Sequence, residues 1–369
     1  MRRALFLFAV TCVLLGAGVA PAVTAGPSTP GSSGLRMNHL QAKGTHNSTH
    51  RDHNGDAVPG VPDWDYSHRP ITEQLEHQGV RQLELDLHYN WAKDDFDVYH
   101  VWFADDRTSC DTLTACLGEV RAWSNAHPAH HPILLMLEPK DAQLEDEDPF
   151  TRPFDAHAYQ RLDEVIRAAW PDRVVTPDSV TRRGKTLRQS VVEMGWPKLD
   201  DVRGHVAFLI DGDDHGSAYS DGYRSLAGRT AFVQAPETSA VAAFVGRGGG
   251  GAKYDRMRAL VAQGFMVRDL VGDDPRAALA AGAHYVSSDY PTDADYADAG
   301  MAPSRCNPVS TLASGVDCTN ASIETPAADG EPAPDPLPDE GQLLVDKADR
   351  LVVGTVESST DAVVYERLP

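Results

Sequence analysis

Two stretches constrain the fold more than anything else in the chain: RQLELDLHYN (81–90) and PILLMLEPKD (132–141). Side chains alternate faces along a strand. In the first stretch Leu83, Leu85 and Leu87 therefore point one way, toward covering helices, and Glu84, Asp86 and His88 point the other. Two carboxylates and an imidazole on one inward face are costly to bury unless paired or bound to a cation. In the second stretch Ile133 to Leu137 form the near-continuous apolar run of a strand buried on both faces. Glu138 and Lys140 follow at its end, two apart and so on one side. The bland alternatives are an edge strand with a wet face for the first and a plain salt bridge for the second.

The same alternation of short apolar runs and helix-like segments extends along the chain. Strands are expected near Leu40–Thr45, Arg81–Leu87, Asp97–Val101, Ile133–Leu137, Val206–Ile210, Ala231–Gln234, Phe265–Arg268 and His284–Ser287. Helices are expected at Ile71–Gln78, Leu113–Ala126, Ala156–Trp170, Thr238–Val245, Asp255–Gln263 and Pro275–Ala281, with another near Leu187–Met194. Leu162, Val165, Ile166 and Ala169 follow helical spacing. Alternation of this kind implies an α/β protein with parallel strands and crossover helices. Eight strands suggest a closed (β/α)8 TIM-type barrel; a doubly wound open sheet fits the pattern nearly as well. The acidic run EDEDP reads as a solvated loop, and GRGGGG near Gly246, lacking the Lys-Ser/Thr of a nucleotide loop, as a flexible connection.

The ends of the chain read differently. Residues 1–25 have Arg2 and Arg3, an apolar run and small residues at Val23 and Ala25, the pattern of a secretory signal peptide. Residues 26–37 are a flexible leader, 38–324 the barrel, and 325–369 a Pro-rich acidic tail with a small terminal hairpin expected in RLVVGTV and AVVYERL. The formal net charge is −21 at pH 7. That argues against a nucleic-acid partner and against tight electrostatic binding to an anionic membrane. Nothing in the sequence implies a protein partner. Cys12 falls in the signal peptide, which leaves Cys110, Cys116, Cys306 and Cys318 in an exported chain. Close spacing suggests Cys110–Cys116 and Cys306–Cys318, although four cysteines allow three pairings.

GTHNSTHRDHNGD (44–56) concentrates His46, His50 and His53 with Asn47 and Asn54, where the first strand ends. FDVYHVWF places His100 among β-branched and aromatic residues. In (β/α)8 barrels the active site lies at the C-terminal ends of the strands. His46 and Asn47, Glu84 and Asp86, His100, and Glu138 with Lys140 would then converge from the first four strands. Asn47, Glu84, Asp86 and Glu138 are hard oxygen ligands, suited to calcium, or secondarily magnesium, rather than zinc. Two histidines and a lysine beside such a cation suit an anionic phosphodiester.

GTHNS, LELDLHYN, VYHVW and LEPK, in this order, resemble the catalytic X region of phosphoinositide-specific phospholipase C, in particular its bacterial secreted, calcium-dependent branch. TLRQSVVEMGWPKLDDVRGHVAFLID and GFMVRDL…AGAHYVSSDYP look like that branch too, so the resemblance runs from about Asn38 to Pro291. It implies a distorted TIM-type barrel that cleaves the glycerol–phosphate bond of an inositol phospholipid outside the cell. It implies that His46 contacts the phosphate, that His100 is the general acid that later acts as base, and that Asn47, Glu84, Asp86 and Glu138 hold Ca2+. Lys140 and, more weakly, Arg268 would contact phosphate, and His88 would stand behind the ligands. The products would be diacylglycerol and a cyclic inositol phosphate. Two features depart from the family. There is no lipid-binding accessory module, so transient membrane contact falls to loops on the barrel rim; Trp102 and Phe103 are candidates, with a core role the favoured reading. There is also no basic cluster for extra phosphates, which favours phosphatidylinositol itself. A glycerophosphodiester phosphodiesterase would share the barrel and the E-x-K pair, but it usually opens with His-Arg-Gly where this chain has THNS. A non-catalytic inositol-lipid binding protein is the rival from another class.

Overall fold

The structure, a computed structural model, describes residues 34–52, 64, 66–141, 150–246, 252–270, 275–291 and 304–319. The expected signal peptide, most of the leader, His53, Asn54, the EDEDP run, residues 247–251 and the C-terminal tail lie outside them. Eleven strands are described: β1 (Leu40–Thr45), β2 (Val80–Asn90), β3 (Asp95–Val98), β4 (Ile133–Pro139), β5 (Thr151–Arg152), β6 (Val174–Val175), β7 (Val206–Ile210), β8 (Ala231–Val233), β9 (Arg268–Leu270), β10 (Tyr285–Ser288) and β11 (Ser304–Cys306). They form one curled sheet. Parallel pairs run β8–β7–β4–β2–β1–β10–β9, and β6 also pairs with the start of β7. The space between β8 and β9 is crossed by Phe244, which makes one parallel bridge to Gln234 and one to Met266. The circle is thus carried across by single bridges rather than a ladder, as in a distorted (β/α) barrel.

Eight parallel positions line the curl, but not the eight read from the sequence. The expected strand Asp97–Val101 is β3, which runs antiparallel to β2 with Leu87 opposite Val98 and Asn90 opposite Asp95. The reason is length: four residues separate β2 from β3, and a parallel crossover needs about a dozen or more. Asn90 Oδ1 closes the hairpin, accepting from the Ala92 and Lys93 amides at 3.1 and 3.2 Å. Conversely, the expected helix Thr238–Val245 is a turn leading into the wall at Phe244. Val241 to Val245 are all buried, so this continuous apolar run behaves as a buried strand, an ambiguity that periodicity alone leaves open. β9 begins at Arg268, where the expected strand was to end.

Elsewhere the elements follow the pattern. The helix Leu113–Ala126 opens with the Thr112 side chain accepting from the Ala115 amide at 3.2 Å. The helix Ala156–Ala169 opens with Asp155 Oδ1 accepting from Ala158 at 2.9 Å, and it buries Leu162, Val165 and Ile166. Such caps contribute about 1 kcal/mol each. Leu83, Leu85 and Leu87 are fully buried in one core with Leu113, Leu117 and Val120, so the opposite face of β2 points into the curl. Cys110–Cys116 and Cys306–Cys318 are disulfide-bonded, the pairing that spacing suggests. No helix among the described residues is long and apolar enough to cross a membrane.

Candidate active site

The THNS turn that follows β1 is pinned to β2 by backbone and hydroxyl together. The Ser48 amide donates to the Glu84 carbonyl at 2.9 Å, and the Glu84 amide donates to Ser48 Oγ at 2.8 Å. Gly44 permits this approach, because a Cβ there would overlap Gln82 Oε1. Asn47 takes φ 44°, a left-handed conformation that Asn tolerates better than most residues. The turn thereby sets His46 and Asn47 beside the inward face of β2.

His46 Nδ1 lies 2.8 Å from Asp289 Oδ1, just past β10. Burial works to lower the His46 pKa, but this bond and the charges of Glu84 and Asp289 outweigh it, and the pKa is raised. Asp289 is held below its ordinary value: burial opposes this, and the His46 contact wins. His100 makes the matching arrangement. Its Nδ1 lies 2.6 Å from Asp105 Oδ2, while His50 Nε2 lies 2.8 and 3.0 Å from the two oxygens of the same carboxylate. Burial would raise the Asp105 pKa, yet the two histidine contacts hold it down. A carboxylate on Nδ1 fixes the tautomer and leaves Nε2 for other work. Both candidate histidines therefore sit in Asp–His pairs.

β2 and β4 are in register, so Asp86 lies directly opposite Glu138. Lys140 Nζ bridges them, 3.0 Å from Asp86 Oδ1 and 2.7 Å from Glu138 Oε1. Burial would lower the Lys140 pKa, but Asp86 and Glu138 raise it. Lys140 also overcomes burial to lower Glu138. Burial raises Asp86 despite Lys140, and it raises Glu84 to about 7 against the pull of Arg268 and His46. Arg268 donates to Glu84 Oε2 and, at 2.8 Å, to Ser287 Oγ. The E-x-K pair is thus a salt bridge, and Arg268 is a partner of Glu84.

Glu84, Glu138 and Asp211 each bring one oxygen within 4.8 Å of the others. Asp211 follows β7, and burial raises its pKa. Asn47 Oδ1 is buried without a hydrogen-bond partner, although its Nδ2 donates to Tyr66 at 3.1 Å. With all four carboxylates ionised, Glu84, Asp86, Glu138 and Asp211 against Lys140 and Arg268 would leave two negative charges in excess, a cost that shows in the raised pKa values of Glu84, Asp86 and Asp211. An orphaned amide oxygen and carboxylates that outnumber the cations by two fit a divalent cation with hard oxygen ligands.

The sequence pattern places His100 within a barrel strand, among β-branched and aromatic residues. It stands instead in the segment after antiparallel β3, held by Asp105 and close enough to act electrostatically on Asp86 and Glu138. His88 faces inward as expected, but it holds that segment: its Nε2 donates to the Tyr99 carbonyl at 2.9 Å and its ring stacks on Tyr99 at 3.7 Å. Phe103 is 79 % exposed rather than in the core. Asp105, Asp211 and Asp289 were missed. Asp211 follows an apolar strand directly, the same signal that marked Glu138; Asp289, which follows Ser287 and Ser288, and Asp105 carry no such signal.

The sequence matches the profile of Ca2+-dependent phosphoinositide phospholipase C over residues 35–96 and 88–308. No curated protein sequence matches. Among solved structures, the calcium-dependent phosphoinositol-specific phospholipase C of a Pseudomonas species, in its apo form, is similar at 17 % identity, with 75 % of this chain and 97 % of that one covered and a TM-score of 0.54. Its myoinositol complex is similar at 17 % identity over 70 % and 91 %, with a TM-score of 0.51. These structures share the fold. The profile match, which spans well over half of the chain, carries the assignment: the protein belongs to the Ca2+-dependent phosphoinositide phospholipase C family of phosphodiester hydrolases.

Proposed function

We propose that this chain is a secreted, calcium-dependent phosphodiesterase that cleaves phosphatidylinositol-type lipids to diacylglycerol and a cyclic inositol phosphate. The observation that carries the reading is the pair of Asp–His units, His46–Asp289 and His100–Asp105, in a site whose carboxylates outnumber its cations by two. Asn47, Glu84, Asp86 and Glu138 would hold the calcium, and Asp211 joins them by its place beside Glu84 and Glu138. When bound, the cation neutralises phosphate charge and acidifies the attacking hydroxyl. The inositol 2-hydroxyl oxygen forms a bond to phosphorus, and a carboxylate of the cluster accepts its proton. The phosphorus–oxygen bond to glycerol breaks, and His100 Nε2 gives its proton to the departing oxygen. Asp105 holds that ring through Nδ1, so that Nε2 faces the departing oxygen. His46 donates from Nε2 to a phosphoryl oxygen, a role its raised pKa favours. Water then opens the cyclic ester, with His100 acting as base.

No basic cluster for further phosphates is evident in the sequence, which favours the unphosphorylated headgroup. Two disulfides suit an oxidising, extracellular setting, and contact with the membrane is transient. Phosphorus NMR of the products formed from phosphatidylinositol vesicles with calcium tests the reading. A cyclic inositol phosphate is expected; glycerol 3-phosphate from a glycerophosphodiester, with no cyclic product, would assign the chain to the rival chemistry.

A further inference from the structure

Of the histidines in the GTHNSTHRDHNGD stretch, His46 is used by the reaction above, while His50 has no part in it. Yet His50 is buried, and its environment is specific. Its Nε2 donates into the Asp105 carboxylate, 2.8 Å from Oδ1 and 3.0 Å from Oδ2. Asp105 is itself only 1 % exposed. Without His50, Oδ1 of that carboxylate would lose the hydrogen bond it makes to His50 in a buried place, where an unmade bond is expensive. The carboxylate would then be freer to turn away from His100 Nδ1.

The other side of the His50 ring stacks on Tyr66, with centroids 4.3 Å apart. The Tyr66 hydroxyl accepts from Asn47 Nδ2 at 3.1 Å and donates to Asp289, the carboxylate that holds His46. A continuous path of contacts thus runs from His100 through Asp105, His50, Tyr66 and Asp289 to His46. The backbone reinforces it. Residue 50 bridges antiparallel to Thr108, the Ser109 amide donates to the Thr49 carbonyl at 2.8 Å, and the Arg51 amide donates to the Arg107 carbonyl at 3.1 Å. The segment bearing His46 and the segment bearing His100 are therefore laced together at His50.

We propose that His50 is a positioning residue of the reaction: by donating to Asp105 and stacking on Tyr66, it fixes His100 relative to His46. It touches no substrate and acts through Asp105. The idea rests on the phospholipase C reading above, but part of its test does not depend on turnover.

Three variants separate the outcomes. His50→Phe keeps the stack and removes the donor. His50→Met keeps bulk and removes the donor, and it stands in if the Phe variant does not fold. His50→Gln keeps an Nε2 donor at similar reach. The first readout is the hydrogen-bonded His100 imidazole proton, observed by NMR in the full chain. It should persist in His50→Gln and be lost or exchange-broadened in the Phe and Met variants, whether or not the lipid is cleaved. The second is kinetics on phosphatidylinositol vesicles with calcium. His50→Phe should lower kcat by about 10- to 100-fold with KM within about twofold, and His50→Gln should restore most of it. The third is a double-mutant cycle with Asp105→Asn. If His50 works through Asp105, adding His50→Phe to Asp105→Asn should cost little further rate. An unchanged His100 proton in both donor-free variants, or rate losses that simply multiply in the cycle, would overturn the assignment.

Discussion

His46 Nδ1 sits 2.8 Å from Asp289 Oδ1, a contact between residues 243 positions apart in the chain. It ties the segment after β1 to the segment after its neighbouring strand, because Asp289 directly follows β10 and β10 pairs with β1. Asp289→Asn should lower turnover by about 10- to 100-fold without unfolding the protein. Asp289 is one of the groups that raise the His46 pKa, so the limb of the rate profile that requires protonated His46 should move to lower pH. A profile unchanged in position would show that Asp289 does not govern this histidine.

His46→Ala and His100→Ala should each lower turnover by about 10²- to 10⁴-fold. Calcium binding measured by titration calorimetry should survive in both, since neither histidine is a proposed ligand. Near-normal turnover in both variants would remove them from the mechanism.

Calcium affinity should depend on pH through Glu84. Burial raises its pKa to about 7 in the metal-free protein, and a ligand carboxylate must be ionised. Affinity should therefore weaken as pH falls from 8 to 6, with proton release on binding. Glu84→Gln should weaken binding at all pH values and flatten this dependence. Equal affinities for wild type and variant at pH 8 would exclude Glu84 as a ligand.

His284 is buried and neutral: Nδ1 accepts from the Val267 amide at 3.1 Å, and Nε2 donates to the Asn38 carbonyl at 2.9 Å. Burial lowers its pKa to about 3. The unfolded chain takes up this proton near pH 6.5 and the native protein does not, so its contribution to stability is present above 6.5 and lost as pH falls. The stability gap between wild type and His284→Gln should narrow below pH 6.5 by at most ~1.4 kcal/mol per pH unit. Denaturant unfolding at pH 7 and pH 4.5 measures it; a constant gap would contradict the assigned neutral state.

Ser48→Ala should cost about 1–3 kcal/mol, because it leaves the buried Glu84 amide without its acceptor. It should also weaken calcium binding, since that contact sets Asn47 beside β2. A stable variant with unaltered affinity would show that the turn is held in some other way.

Much of this site was legible because period-two alternation is a strict rule. Once Leu83, Leu85 and Leu87 face the helices, Glu84 and Asp86 must face the interior, and β4 in register adds Glu138. The sequence was less informative where geometry depends on connection length or on distant partners. β3 carries the apolar pattern of a barrel strand, but a four-residue link forces it into a hairpin. The run around Phe244 is apolar on all sides, so its period distinguishes neither helix nor strand. Asp105 and Asp289 are ordinary loop aspartates in sequence, and only the folded chain brings each onto a histidine. His50 was noticed as part of a local excess of histidine, but its bond to Asp105 crosses 55 positions and leaves no periodic trace.

The central claim is a calcium site formed by carboxylate oxygens from β2 and β4 and the Asn47 amide oxygen from the turn after β1, flanked by two oriented histidines. An anomalous-scattering map from crystals soaked in calcium tests it directly. The account predicts one strong peak at roughly 2.3–2.6 Å from oxygens of Asn47, Glu84 and Glu138, with Asp211 or Asp86 completing the shell. A calcium-loaded crystal with no peak there, or with its calcium bound elsewhere on the protein, would contradict it.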